Sequence, residues 1–213
     1  MPVELLWSVP AEQTEQPERA VTVLLAHGAG AAMDSGWMND MTALLVERGI
    51  RVARFEFSYM ASRRQGSRKP PPRAETLAQE YRDAVAAVGG ERLFIGGKSM
   101  GGRVASMVAD ELHDAGLIEG LVCLGYPFHP PGAPEKLRTA HLEGLRTPTL
   151  ICQGTRDPFG TREDVAGYDL SPSIRFCWLD DGEHEFKPRT AISGFTHREH
   201  LATAADAVAA FAD

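Results

Sequence analysis

Residues 92–113 pass from an apolar strand, RLFIG, through GKS directly into MGGRVASMVADELH, which carries helical periodicity. A strand that meets a helix across one serine leaves the backbone little choice of geometry, so this segment constrains the fold more than any other. Two readings compete for it. In a phosphate loop, G-x-x-x-x-G-K-[ST], backbone N–H groups wrap the phosphates before the helix begins. Counting back from Ser99, the first glycine of that motif falls on Arg92, and residues 92–95 belong to the strand, so no loop is left to wrap anything. The alternative is the elbow G-x-S-x-G, residues 97–101. It needs an abrupt strand end, glycines where a side chain would clash, and a helix that starts at once, leaving the serine hydroxyl exposed on a strained turn. The segment supplies each of these. The bland reading is a helix start capped by a serine in a glycine-rich turn.

The rest of the chain decides what surrounds this turn. Apolar runs at 21–26 (VTVLLA), 50–57 (IRVARFEF), 92–96 (RLFIG), 120–126 (GLVCLGY), 149–154 (TLICQG) and 174–179 (IRFCWL) read as buried strands. Helical patterns lie between them at 36–48, 74–88, 100–115 and 197–212, and 4–9 (ELLWSV) reads as an edge strand. In the second helix Leu77, Tyr81, Ala84, Val85 and Val88 share one face. Alternation of this kind predicts the α/β class, with a mostly parallel sheet of six to seven strands covered on both faces. No internal repeat or linker divides the chain, so residues 1–213 are expected to form a single domain. Two long connections, 58–73 and 127–148, follow strands and should emerge at the carboxyl edge of the sheet, where open α/β folds bind ligands.

A formal net charge of −7 argues against nucleic acid as the main partner. The start of the chain lacks a basic segment followed by an apolar run, and no stretch approaches the roughly 18 apolar residues of a membrane span. Cys123, Cys152 and Cys177 sit inside strand patterns. That usage suits reduced core residues and a cytoplasmic location.

A serine hydroxyl attacks only when a base takes its proton, and a third group must orient that base. Asp157 follows one strand, in QGTRDPFG, and His184 follows the next, in DGEHEF. The order Ser99, Asp157, His184, each at a strand-to-loop junction, is the order of a serine–acid–histidine site built on a parallel sheet. Asp180 and Asp181 are alternative acids, but they lie close to His184 in sequence. Upstream, HGAG offers Gly28 and Ala29, whose N–H can complete an oxyanion hole with that of Met100, Ala29 being the candidate carried forward. Gly28, Phe128, His129 and Phe159 are candidate substrate-binding positions and Trp37 a further apolar wall, with packing the default alternative for the aromatic side chains and loop packing for His129. His27 is expected to hold the HGAG loop, and Lys98 to act as a spacer packed away from the site. Histidine and carboxylate spacings suit no metal, so neither metal nor cofactor is expected.

The motifs HGAGA, GGKSMGGR, GYPFHPPG, QGTRDPFG and DGEHEFKPR together resemble the small α/β-hydrolase-like family. That family includes dienelactone-hydrolase-type homologues, a testis-expressed hydrolase-like protein and the hydrolase-like region of an NSL acetyltransferase-complex subunit. The resemblance runs from about residue 21 to the C-terminus. It implies an α/β-hydrolase fold without a large cap and a Ser-Asp-His site on Ser99, Asp157 and His184. Dienelactone hydrolases proper use a cysteine nucleophile, so their substrate does not carry over. The expected activity is hydrolysis of a small acyl ester or thioester. The alternative is a non-catalytic interaction protein that keeps the fold. Between 63 and 73 the chain carries five basic residues, Arg63, Arg64, Arg68, Lys69 and Arg73. They read as a proline-stiffened surface loop, or as an electropositive rim for an anionic substrate. Nothing in the pattern specifies an oligomer.

Overall fold

A computed structural model describes residues 3–11, 20–66, 69–90 and 92–213. Its strands are β1 (Leu5–Ser8), β2 (Thr22–Ala26), β3 (Arg51–Phe55), β4 (Leu93–Lys98), β5 (Gly120–Leu124), β6 (Thr149–Gly154) and β7 (Ile174–Leu179). They form one sheet in the order β1-β3-β2-β4-β5-β6-β7. Only β1 runs antiparallel, paired to β3. The chain moves outward from β2 to β3 and then returns across β2 to β4, so the strand order reverses between β2 and β4. Loops leaving the carboxyl ends of those two strands diverge, and the crevice they leave is where such sheets take ligands.

Alternate residues of each central strand feed two cores. Leu24 and Ala26 of β2 face a cluster with Tyr81, Ala84, Val104, Ala105 and Val108, contributed by α3 (Ala78–Val88) and α4 (Met100–Asp114). Val23 and Leu25 face a second cluster with Met41, Leu45, Leu201, Ala205 and Val208. Those come from α1 (Gly36–Glu47) and from α7 (His197–Ala212), which follows the short helices α5 (Arg162–Val165) and α6 (Thr190–Ser193). The period of two along a strand thus produces a three-layer sandwich, with all five residues of β2 buried.

Three details differ from the sequence expectation. Residues 58–64, expected as loop, form a helix, α2 (Ser58–Arg64). Its first turn is capped from a distance: the Glu80 carboxylate accepts from the Ser58 N–H at 2.6 Å and from the Ser58 hydroxyl at 2.9 Å. A cap 22 residues away leaves no local signal. Residues 74–77, expected as the start of a helix, are instead a 3-10 turn that leads into α3. Strand β4 runs two residues past the expected end, through Gly97 and Lys98 to the serine itself.

Tyr81 ties α3 to the middle of the sheet. Its phenol, fully buried, accepts from the Gly96 N–H at 2.9 Å and lies 2.6 Å from the Gly96 carbonyl and 3.2 Å from the Leu24 carbonyl. Burial pushes its pKa up, so the group acts as a neutral hydroxyl. Removing that oxygen leaves buried backbone groups of β2 and β4 without a partner, which costs about 1–3 kcal/mol. Tyr81→Phe should therefore lower the unfolding free energy by that amount in urea titrations, with an unchanged far-ultraviolet circular dichroism spectrum.

Candidate active site

Where β4 ends, Ser99 adopts φ 52° and ψ −115°, a conformation rarely tolerated by a residue with a side chain. The turn is pinned on both sides. The Ser99 N–H donates to the Leu124 carbonyl at 3.0 Å, and the Ser99 carbonyl accepts from the Arg103 N–H at 3.0 Å. Two glycines make the turn possible. A Cβ on Gly97 would sit 2.5 Å from the Ala26 carbonyl oxygen, and one on Gly101 would meet the same oxygen at 2.5 Å and the His27 carbonyl at 2.7 Å. Helix α4 therefore starts in direct backbone contact with the end of β2.

The serine hydroxyl lies 2.8 Å from Nε2 of His184, and Nδ1 of His184 lies 2.8 Å from Oδ2 of Asp157. The structure thus brings these three residues into one hydrogen-bonded line. Asp157 is fully buried, and its side chain is fixed by two further donors: the Phe159 N–H at 2.8 Å and Nε2 of Gln153 at 2.9 Å. Gln153, at the end of β6, also accepts from the Tyr126 N–H at 2.7 Å and donates to the Tyr126 and Gly160 carbonyls. It locks the acid loop to the loop after β5. Asp181, weighed as an alternative acid, is engaged elsewhere: Arg156 and Arg189 pair with it and hold its carboxyl below the usual range.

The histidine loop is held through three successive carbonyls. The His184 carbonyl accepts from Nζ of Lys98 at 2.9 Å. The Glu185 carbonyl accepts from Nε1 of Trp37 at 3.1 Å and from Nε2 of His197 at 2.8 Å. The Phe186 carbonyl accepts from Nδ1 of His200 at 2.9 Å. Lys98 is no spacer. It is 5% exposed, lies over the Trp37 ring and pairs with Glu185 at 3.2 Å. Burial lowers its pKa, opposed by the carboxylates of Glu185, Asp157 and Glu183. The lysine within the elbow therefore straps the strand that carries Ser99 to the loop that carries His184.

His27 holds the opposite rim. It is fully buried, accepts from the Phe57 N–H through Nε2 at 3.2 Å, and donates from Nδ1 to the Gly28 carbonyl at 2.7 Å. Desolvation lowers its pKa, in keeping with that neutral tautomer. The Ala29 carbonyl accepts from the Tyr59 hydroxyl at 3.1 Å and from Arg63 at 3.4 Å, which anchors the residue beside Ser99. Above these groups opens a cleft of about 600 Å³, lined among others by Ala29, Ser99, Met100, Pro127 and Phe159. Phe159 also packs on the His184 ring, with centroids 4.2 Å apart.

Four of the apolar and loop candidates lie elsewhere. Phe128 is fully buried beneath the cleft, against Tyr126, Tyr168 and Phe176. His129 is buried beside it, with Nε2 3.6 Å from Asp164. The chain turns inward after β5, so these residues support the wall without forming it. Gly28 sits behind the elbow, where a Cβ would contact Lys98 and Ser99 at 3.6–3.7 Å. Trp37 packs under the histidine loop. A second serine–histidine contact, Ser106 to His141 at 2.8 Å, lies on the side of α4. The Ser106 hydroxyl donates to the Arg103 carbonyl within the helix, and the Tyr126 hydroxyl is the other side-chain neighbour of His141 Nε2, so the pair fastens the 127–148 connection to α4. Among the described residues no group of three His, Cys, Asp or Glu is placed to hold a metal ion.

A family model described as an alpha/beta hydrolase domain matches residues 19–213. Among solved structures, the chain is similar to a dienelactone hydrolase from Anabaena variabilis, with a TM-score of 0.71 at 19% identity over 98% of this chain and 90% of that one. An alpha-beta serine hydrolase homologue from Coxiella burnetii gives 0.63 at 19% identity, covering 94% and 90%. A Xanthomonas campestris protein described as an α/β serine hydrolase without a lid gives 0.60 at 18% identity, covering 86% and 81%. At these identities the likeness is one of fold.

The backbone of Ser99 stores strain that a glycine would not carry, of order 1–3 kcal/mol and partly offset by the greater freedom of an unfolded glycine. Ser99→Gly should raise the unfolding free energy by about 1 kcal/mol, measured by differential scanning calorimetry against the wild type.

Proposed function

From the premise that this chain belongs to the alpha/beta hydrolase family matched over residues 19–213, we propose that it is a serine hydrolase cleaving a small acyl ester or thioester. The observation that carries the reading is the line of 2.8 Å contacts from Asp157 through His184 to Ser99, on a backbone held in a strained conformation. A serine that only capped a helix would need neither the imidazole nor the carboxylate behind it.

His184 takes the proton of Ser99 through Nε2 as the oxygen attacks an acyl carbonyl. Asp157 fixes the ring with Nδ1 protonated and stabilises the imidazolium that forms. The N–H groups of Met100 and Ala29 receive the developing oxyanion, Met100 at the start of α4, where helix N–H groups have no partner within the helix. Each such donor contributes about 3–4 kcal/mol to the transition state. The imidazolium then protonates the leaving alcohol or thiol, and water releases the acyl group by the same route. The volume of the cleft suits a small molecule better than a polypeptide. Free cysteines at 123, 152 and 177 favour a reducing, cytoplasmic compartment, and no described helix is long and apolar enough to cross a membrane.

Ser99→Ala should abolish turnover of p-nitrophenyl acetate and covalent labelling by a fluorophosphonate, while the melting temperature shifts little. Equal activity in mutant and wild type would exclude this role for Ser99. Lys98→Met should lower kcat about tenfold or more with a smaller change in KM, because it loosens His184 without touching the substrate. Steady-state kinetics on the same ester separates the two parameters.

A further inference from the structure

The cleft beside Ser99 carries a charge opposite to that of the chain. Three guanidinium groups, Arg73, Arg103 and Arg138, line it against one carboxylate, Glu75, so its local balance is +2 within a chain of net charge −7. These arginines come from different segments. Arg73 ends the 58–73 connection, Arg103 lies on the first turn of α4, and Arg138 belongs to the 127–148 connection.

Two other arginines of the basic segment are engaged away from Ser99. Arg64 is saturated by Glu56 and Asp34. Arg63 donates to the Lys69 and Ala29 carbonyls and lies over the Tyr59 ring. Arg68 lies outside the described residues. Arg103 is only partly satisfied. One terminal nitrogen pairs with Glu75 at 2.6 Å, while among the described residues its buried Nε has no hydrogen-bond acceptor. Among the described residues, no oxygen accepts from the guanidinium of Arg138 or of Arg73. Arg138 is partly desolvated, and its pKa is lowered first by that burial and then by the neighbouring Arg103. Two like charges held together in a half-dry cleft repel each other, and an anion between them removes that cost.

We propose that Arg103 and Arg138 form a carboxylate subsite, so that the preferred substrate is an ester or thioester bearing a carboxylate a few bonds from the scissile carbonyl. The inference rests on the serine hydrolase reading and names its substrate class. Distance supports it: Arg103 stands one helical turn, ~5.4 Å of axial rise, beyond Ser99. A planar guanidinium fork donates two parallel hydrogen bonds to a carboxylate, and the low local dielectric strengthens them. Arg73, at the rim, adds attraction for the same charge.

Three esters test it. The charge lies on the acyl side in 4-nitrophenyl hemisuccinate and on the leaving-group side in 4-acetoxybenzoate, and 4-nitrophenyl butyrate is neutral. At least one charged ester should be preferred over the neutral one by about tenfold in kcat/KM. That ratio should collapse in Arg138→Gln and be only partly retained in Arg138→Lys, which keeps the charge but loses the fork. In parallel, calorimetric binding of the same esters to Ser99→Ala should show the charge preference without turnover, and Arg138→Gln in that background should erase it. Absence of any preference in the Ser99→Ala binding data would overturn the subsite whatever the kinetics show. A preference there with no hydrolysis by the wild type would support the subsite and sink the serine hydrolase reading instead.

Discussion

Everything at the site depends on how closely one helix approaches one strand. The carbonyls of Ala26 and His27 occupy the space that side chains at Gly97 and Gly101 would need. Only backbone packed on backbone lets α4 begin one residue after β4 ends. A bulkier residue would push the helix away, lengthen the turn and move the serine from its place in the cleft. The strain at Ser99 follows from the same contact, since a short turn between two fixed elements has few conformations to choose from.

Sheet topology then gathers the other groups. In a parallel sheet the carboxyl ends of the strands share one edge, so residues just past β4, β6 and β7 become neighbours although 85 positions separate Ser99 from His184. The side chains that hold them come from the sheet and from the face covered by α1 and α7. Lys98 and Trp37 reach the histidine loop from the elbow and from α1, His197 and His200 reach it from α7, and Gln153 reaches the acid from within the sheet. Successive carbonyls bound in this way leave the imidazole little freedom to turn.

This explains what could be read from the amino-acid order and what could not. Strands and the longer helices were legible because burial on two faces imposes periods of about 2 and 3.6. The positions of Ser99, Asp157 and His184 were legible because strand ends are predictable and topology does the rest. Side-chain direction within loops was not legible. Phe128 reads as a wall yet turns inward, because the chain folds back under the cleft after β5. Lys98 reads as a spacer, because its partner is a carbonyl from a distant loop. Arg103 and Arg138 carried no local signal at all, since one sits in an ordinary helical turn and the other in an irregular connection. The conspicuous basic cluster lies at 63–73 instead, where Arg64 is paired with Glu56 and Asp34 and Arg63 is held by backbone carbonyls. Long-range pairing, such as Glu80 with Ser58, escapes any window of sequence.

The strap from Lys98 to the His184 carbonyl joins two segments that would otherwise move separately. Ser99 and His184 then behave mechanically as one part, braced on the sheet before any ligand arrives. The walls of the cleft come from other stretches of chain, outside that brace. Their residues can be exchanged without disturbing Ser99 and His184, so a scaffold of this kind can accommodate new ligands by changing its periphery alone.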